Sequence, residues 1–446
     1  RTGLLEAASS SGAHWTGPNE EAVARLLRFG LVLEDDWAFS GSDLRARLLP
    51  PGIWHAARGG PLQAVAIRDS RWEGQGFEEA LRAATARCAD AEVPVGLALS
   101  GGIDSSCLAV CLAESGAVLR GERALPIAYH ARRVLADDQE TLAARSVAAR
   151  TGLELVELEV GVDAFDALPE LVEAHGMPLP DPSVVAVHAL AKRASLDGVR
   201  VLLSGEGADE LLLGYPRHRA VARLPSLHIP LPAPGTSMRR AARAWRALTT
   251  RPAYDALLEV APPTFRRAVS SFRGRAGLTD LLAPVPENNL EAARIVDRIA
   301  YLRGDLLPKL DVATLAAGVE GRCPFLDPAV TGSNEVCAPD GRAVLGKIPL
   351  RRAFHASLPD GHFDQPKRGF ASPVDLALRG DGLLVDLLRD ERTLAREHLQ
   401  RDGVRRMLDV HRSGRFDLGH PLFILGSLEL WLRASEDLAR RAEAHA

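Results

Sequence analysis

The sequence predicts an α/β fold: a parallel-sheet core followed by a mostly α-helical C-terminal region. Three observations carry this. Short apolar runs alternate with helix-length segments over about residues 95–215, the pattern of a parallel sheet with helices on both faces. One run, Val95–Leu99 (VGLAL), is continuously apolar, as expected of a strand covered on both sides. After about residue 220 the strand signals fade, and most of the chain to Ala446 has amphipathic helical spacing.

The elements follow in order. Glu20–Gly30 has helical apolar spacing, and Pro50-Pro51-Gly52 is a turn. No complete domain fits into residues 1–72. Residues 75–92 form a helix that stops near Pro94, Val95–Leu99 the first core strand, and Ile103–Ser115 a helix. Leu125–Tyr129 is a second strand. Asp137–Thr151 is a helix closed by Gly152, which suits the left-handed position after a helix end. Leu153–Val160 (LELVELEV) is a strand, Ser183–Ser195 a helix and Val199–Leu203 (VRVLL) a strand. Leu224–Gly235 is a Pro/Gly-rich loop. The chain therefore divides at about residue 73, with an α/β core over about 75–220 and a helical region over about 221–446. No internal repeat is visible.

Composition narrows the function classes. Of 446 residues, 46% are hydrophobic and 25% charged, with a net charge of −4 and no Lys/Arg run, so no nucleic-acid partner is indicated. No apolar run approaches the ~20 residues that span a bilayer, and no signal peptide is visible; no membrane partner is expected. Cys88, Cys107, Cys111, Cys323 and Cys337 are scattered without a C-x-x-C pair. They read as small apolar residues of a cytoplasmic protein. Only four lysines are present, Lys192, Lys309, Lys347 and Lys367.

Two turns carry the chemistry. Val95–Leu99 runs into Ser100-Gly101-Gly102-Ile103-Asp104-Ser105-Ser106. Ligands in open α/β sheets bind beyond the carboxyl ends of the strands. Gly101 and Gly102 permit positive φ and close approach. The helix start offers free N–H groups, and Ser100, Ser105 and Ser106 add hydroxyls. The result is a cradle for phosphate oxygens. Asp104 makes sense beside an anion if it holds a Mg2+ that bridges to the phosphates. The turn is neither G-x-x-x-x-G-K-[ST] nor G-x-G-x-x-G. The second turn, Ser204-Gly205-Glu206-Gly207-Ala208-Asp209-Glu210, again follows a buried strand. Three acids within five residues need a cation or solvent to coexist, and Asp104 and Asp209 could share one Mg2+.

The first turn matches S-G-G-x-D-S, the signature of the PP-loop ATP pyrophosphatases, which implies ATP cleaved between its α and β phosphates. Together, SGGIDSS and SGEGADELLLGY resemble the synthetase domain of asparagine synthetases. Further matches follow in the same order: GRCPFLD ending at Asp327, Gly346-Lys347 with Leu350-Arg351, PKRGFASP over Pro366–Pro373, and LELWLR over Leu428–Arg433. The resemblance spans about residues 75–440, and Leu26–Pro51 resembles the tail of the family's glutaminase domain. It implies an adenine-nucleotide core of the PP-loop/HUP-like type, with ATP and Mg2+ as cofactors. A carboxylate, by default aspartate, is adenylated with release of pyrophosphate, and an amine, by default ammonia, displaces AMP. By the same resemblance Ser100, Gly101, Gly102, Ser105 and Ser106 bind pyrophosphate, and Asp104 and Asp209 bind Mg2+. Leu99, Ala128, Ser204 and Gly205 contact AMP. Glu206 positions or deprotonates the amine, and Lys367 stabilises charge on the phosphates. Lys309 and Lys347 are helix-surface residues or contacts to substrate charge.

Some features depart from the pattern. The family's glutaminase nucleophile is an N-terminal cysteine, whereas this chain starts at Arg1 and its first cysteine is Cys88. Residues 1–72 are expected to be the remnant of a glutaminase-like domain and its linker, in a fragment of a longer protein. Ala128–Gln139 lacks the expected F-D-E-like pattern, and Cys323 stands for the usual valine before P-F-L-D. Lasso-peptide cyclases share the domain, so a macrolactam cyclase acting on a precursor peptide is the alternative. A PP-loop RNA-modifying enzyme would need a basic surface or catalytic cysteines, and neither is visible. A catalytically dead scaffold would have no reason to keep Asp104, Asp209, Glu206 and Lys367.

Overall fold

A computed structural model of the chain describes residues 20–29, 53–55, 63–65, 75–115, 126–133, 139–223, 288–338, 341–364, 372–396 and 399–445. The expected turn at Pro50–Gly52, the loop Leu224–Gly235 and Lys367 lie outside the described residues.

The N-terminal stretch contributes helix α1 (Glu20–Phe29) and an antiparallel pair, β1 (Ile53–His55) and β2 (Gln63–Val65). The core then unfolds as expected. Helix α2 (Phe77–Ala89) leads to β3 (Val95–Ala98), α3 (Ile103–Glu114), β4 (Ile127–Arg133), α4 (Gln139–Thr151) and β5 (Leu155–Val160). Helices α5 (Leu168–His175) and α6 (Val184–Leu196) follow, then β6 (Val201–Leu203) and two short helices, α7 (Ala208–Leu211) and α8 (Pro216–Val221). Gly152 has φ 73° and donates its N–H to Ala148 O at 2.9 Å, closing α4 where the sequence placed the stop.

The sheet has five strands in the order β5-β4-β3-β6-β7, all parallel. The last strand, β7 (Glu320–Arg322), corrects the expectation that strands end near residue 220. It carries no apolar run: Glu320 and Arg322 pair with each other through a two-pronged ion pair, at 2.9 and 3.1 Å. The edge position asks only for backbone bonds, such as Glu320 N–H to Arg200 O. Strand β4 also runs past the expected end at Tyr129. Its polar continuation is held by β5, where Arg132 meets Glu159 at 2.7 Å.

Helix α3 is buried along its whole length from Ser105 to Leu112, which explains its near-absence of charged residues. Cys107 and Cys111 lie buried in it, and burial pushes both thiols up. They are core residues, as their sequence context predicts. Beyond the core come α9 (Asn289–Val296), a π-helical turn (Asp297–Leu306), α10 (Leu307–Ala316), α11 (Ile348–Phe354) and the long C-terminal α12 (Gly419–His445). Among the described residues no helix is long and apolar enough to cross a membrane.

Candidate active site

The strand order fixes where a ligand binds. From β3 the chain moves outward through β4 to β5, then returns to place β6 on the other side of β3. The order reverses between β3 and β6, and the crevice beyond such a reversal is the ligand site of open α/β sheets. Both predicted turns leave the sheet there, one from β3 and one from β6.

The first turn is pre-folded by its own side chains. Ser100 N–H donates to Ser105 Oγ at 3.1 Å, Gly102 N–H donates to Ser100 Oγ at 3.2 Å, and Ser105 Oγ donates to Gly102 O at 3.2 Å. Gly101 has φ 81°, and a Cβ there would run into the backbone oxygen of Glu140 on α4. Gly102 caps α3, so the helix N–H groups face the turn. Ser106 Oγ is buried and has no hydrogen-bond partner among the described residues. At Gly205 a Cβ would sit 3.0 Å from that of Asp104, so the two turns touch. Gly207, at φ 93°, packs directly under Leu326 of the P-F-L-D stretch. That stretch is anchored in turn by Asp327, which accepts from Ala329 N–H at 2.8 Å and pairs with Arg87 at 2.8 Å.

Asp104 and Asp209 come together as expected. The ammonium of Lys347 lies 2.6 Å from Asp104 Oδ2 and 2.8 Å from Asp209 Oδ1, so the two carboxylates converge on one cation. Lys347 is 5% exposed. Burial opposes its charge, but Asp104 and Asp209 outweigh burial and raise it above an ordinary lysine. It is therefore no helix-surface residue. Its backbone is left-handed, φ 64°, and is held by bonds from Lys347 N–H to Leu212 O and Gly346 N–H to Leu213 O. Arg351 braces the loop by donating to Gly346 O at 3.0 Å and Phe363 O at 2.7 Å. A Cβ at Gly214 would collide with both Asp209 and Lys347. Two hard oxygen donors sharing one cation also fit Mg2+.

A second charged group lies beside the first. Lys309, 4% exposed, reaches Asp181 Oδ2 at 3.0 Å and Glu206 Oε1 at 3.1 Å. Burial works against its charge, yet Asp181, Glu206 and Asp305 hold it well above the usual lysine range. Burial pushes the Asp305 carboxyl well up, helped by Asp181. Glu210 accepts from Tyr215 OH and is 1% exposed. Burial, then the charge of Asp209, pushes it up to about 8.

Leu99 ends the strand with its side chain buried and its N–H on Tyr129 O at 2.8 Å. Ser204 donates its N–H to Arg322 O at 2.8 Å and is 8% exposed. Ala128 lies inside a strand of the sheet. It pairs with Leu97 inside β4, is fully buried, and gives its N–H to Glu154 O. Tyr129 is level with Ala98, the last residue of β3, and the next residue, His130, meets Leu99 O through Nδ1 at 2.9 Å and Thr141 Oγ1 through Nε2 at 3.0 Å. Beyond these residues β4 runs on to Arg133. Lys367 lies outside the described residues.

This crevice can hold a polyphosphate over the first turn and a cation between Asp104 and Asp209, with an acid, Glu206, beside both. The profile of the asparagine synthase family matches residues 76–433, most of the chain. The chain belongs to that family. Putative glutamine-hydrolysing asparagine synthetases of Mycobacterium tuberculosis and Mycobacterium bovis are 31% identical over 369 residues, covering 76% of this chain and 54% of theirs. Asparagine synthetase 1 of Bacillus subtilis is 26% identical over 366 residues, covering 76% of this chain and 56% of its own. The chain thus spans about half the length of the curated relatives it matches. Lys347 and Lys309, which the sequence left as helix-surface residues or contacts to charge, are buried beside acids of the crevice, whereas Asp181, Asp305 and His130 were not singled out in the sequence. The scarcity of lysine pointed to both lysines, and the Gly346-Lys347 match to Lys347 as well.

Proposed function

We propose that this protein adenylates a carboxylate with ATP, releases pyrophosphate, and passes the acyl group to an amine, with aspartate and ammonia as the default pair. The observation that carries the reading is the convergence of Asp104 and Asp209 on one cation at the β3/β6 reversal. In this reading the α3 N-terminus, Ser100, Gly101, Gly102, Ser105 and Ser106 bind the leaving pyrophosphate. Ser204 and Gly205 border AMP, and Leu99 supplies backbone to the same wall. Asp104 and Asp209 would hold Mg2+, which neutralises phosphate charge when bound. Lys347, already charged and buried, gives the same wall a fixed positive group. Glu206 takes a proton from the incoming amine. Lys367, by its match to the P-K-x-G-F loop, is assigned to the charge building on the phosphates.

The test is pyrophosphate release with ATP, MgCl2, aspartate and ammonium. Aspartate is expected to stimulate release, and Asp104→Ala to abolish it. Full release from Asp104→Ala would refute the metal assignment. No response to aspartate would remove the default substrate and turn the reading to a peptide carboxylate, as in a macrolactam cyclase. Lys367→Ala is expected to lower release at least ~100-fold, the scale of losing one group aimed at developing charge.

A further inference from the structure

The LELWLR stretch takes no part in the adenylation chemistry, yet its helix, α12, reaches the crevice through the backbone of one loop. Residues 176–183 (GMPLPDPS) join α5 to α6 and carry Asp181. Prolines at 178, 180 and 182 remove every second backbone N–H, so this loop can pair neither as a helix nor as a strand. All of it except Asp181 is nonetheless buried. Buried backbone groups need partners, and side chains of α12 supply them. Trp431 Nε1–H donates to Gly176 O at 2.8 Å, Leu179 N–H donates to Ser427 Oγ at 2.7 Å, and His420 Nε2–H donates to Pro180 O at 2.9 Å. The spacing of His420, Ser427 and Trp431 puts them on one face of the helix. Ser372, in the PKRGFASP stretch, adds a bond from its Oγ to Pro182 O at 3.0 Å. The helix is fixed in turn at Glu429, which is 1% exposed. Glu429 accepts from Arg396 at 2.9 and 3.0 Å and from Arg433 at 2.8 Å.

The loop passes this placement on. Asp181 accepts from Ser183 N–H through Oδ1 at 2.8 Å and meets Lys309 through Oδ2 at 3.0 Å, and Lys309 meets Glu206 at 3.1 Å. Contacts therefore run from α12 through the proline loop, Asp181 and Lys309 to Glu206. Leu179 is two residues from Asp181, and the prolines between and beside them fix φ, so a shift at Leu179 is carried to the carboxylate. We infer that His420, Ser427 and Trp431 are positioning residues that set Glu206 through the proline loop, Asp181 and Lys309. The inference rests on the proposed role of Glu206. It gives the C-terminal helix a part in the second half-reaction, the transfer to the amine, although none of its three residues touches a substrate.

The test uses the whole chain and Ser427→Ala, which leaves Leu179 N–H unpaired, with Ser435→Ala as its control. Ser435 is buried on the same helix but bonds within it, to Trp431 O at 2.8 Å. Ser427→Ala should lower amide formation about 10-fold by misplacing Glu206, while the Michaelis constant for ATP stays within about 2-fold. Ser435→Ala should change neither. In an Asp181→Asn background Ser427→Ala should add no further loss, because it acts through that residue. The same loss in both backgrounds, or the same loss from both serine variants, overturns the inference. Lys309 reports the placement without turnover. The chain has four lysines, so with isotope-labelled lysine the NMR signal of Lys309 is the one absent from Lys309→Arg. That signal should move in Ser427→Ala and stay in Ser435→Ala; an unmoved signal overturns the inference. If Ser427→Ala does not fold, Trp431→Phe, which keeps a ring and removes the donor, takes its place with the same expected results. A moved signal in a protein whose wild type forms no amide from aspartate and ammonium supports the positioning and overturns the functional reading instead.

Discussion

Lys347 combines two costs, a left-handed backbone at φ 64° and a buried charge. A non-glycine residue there costs about 1–2 kcal/mol, and it is kept because its ammonium answers two carboxylates. Removing one partner of a buried ion group is worth about 3–5 kcal/mol. Lys347→Met should therefore lower the metal-free protein's stability by about that amount in urea unfolding. The same variant leaves Asp104 and Asp209 in need of a cation, so MgCl2 should raise its melting temperature more than it raises that of wild type. Equal shifts would mean that the carboxylates do not share a cation. Gly101 makes the complementary point. Its φ of 81° and the backbone oxygen of Glu140 leave no room for a methyl group. Gly101→Ala should then reduce both stability and ATP binding, whereas Gly198→Ala, with the same sign of φ at 87° but open space around it, should reduce stability alone.

At the level of elements, the site depends on how β3, β4 and α4 are tied at their ends. His130 does this with both ring nitrogens, one on Leu99 O and one on Thr141 Oγ1. His130→Ala strands buried polar groups, each worth about 1–3 kcal/mol. It should destabilise the protein by that order and weaken ATP binding, since Leu99 is the last residue before the turn. Unchanged urea midpoints would remove His130 from this role. The two turns themselves were legible in the sequence because their determinants are local: a buried strand, glycines, and hydroxyls and acids within seven residues, as in Ser100–Ser106. His130 was not legible, because an alternating IAYHARR gives no sign of where β4 stops. Strand β7 was hidden for a related reason, as a three-residue edge strand with two charges has no periodicity to read. For Lys347 and Lys309 the sequence left helix surface and contact to charge both open, because their partners lie far along the chain. Lys347 lies 243 residues from Asp104 and Lys309 lies 128 from Asp181, and nothing local marks which acid a lysine will meet.

Across the whole molecule, the crevice gathers more acid than the fold can keep ionised, and stability should record that. Asp305 and Glu210 are buried, and burial raises both carboxyls, Glu210 to about 8. In the unfolded chain a glutamate titrates near ~4.3. Between those values the folded protein holds a proton on Glu210 that the unfolded chain has lost. Unfolding in that window releases a proton, so stability falls as pH rises, by up to about 1.4 kcal/mol per pH unit for one such group. Below the window both states are protonated and the full contribution is present; above pH 8 it is gone. Asp181 shifts the other way, lowered through Lys309 despite its burial, so its contribution is lost only on acidification below the ordinary carboxylate range. The two effects occupy different pH ranges and can be separated. Metal-free wild type should lose melting temperature steadily from about pH 5 to pH 8. Glu210→Gln keeps an oxygen for Tyr215 and cannot ionise, so its profile should be flatter over the same range, with the slope from Asp305 remaining. An identical slope in the two proteins would show that Glu210 is already ionised at neutral pH.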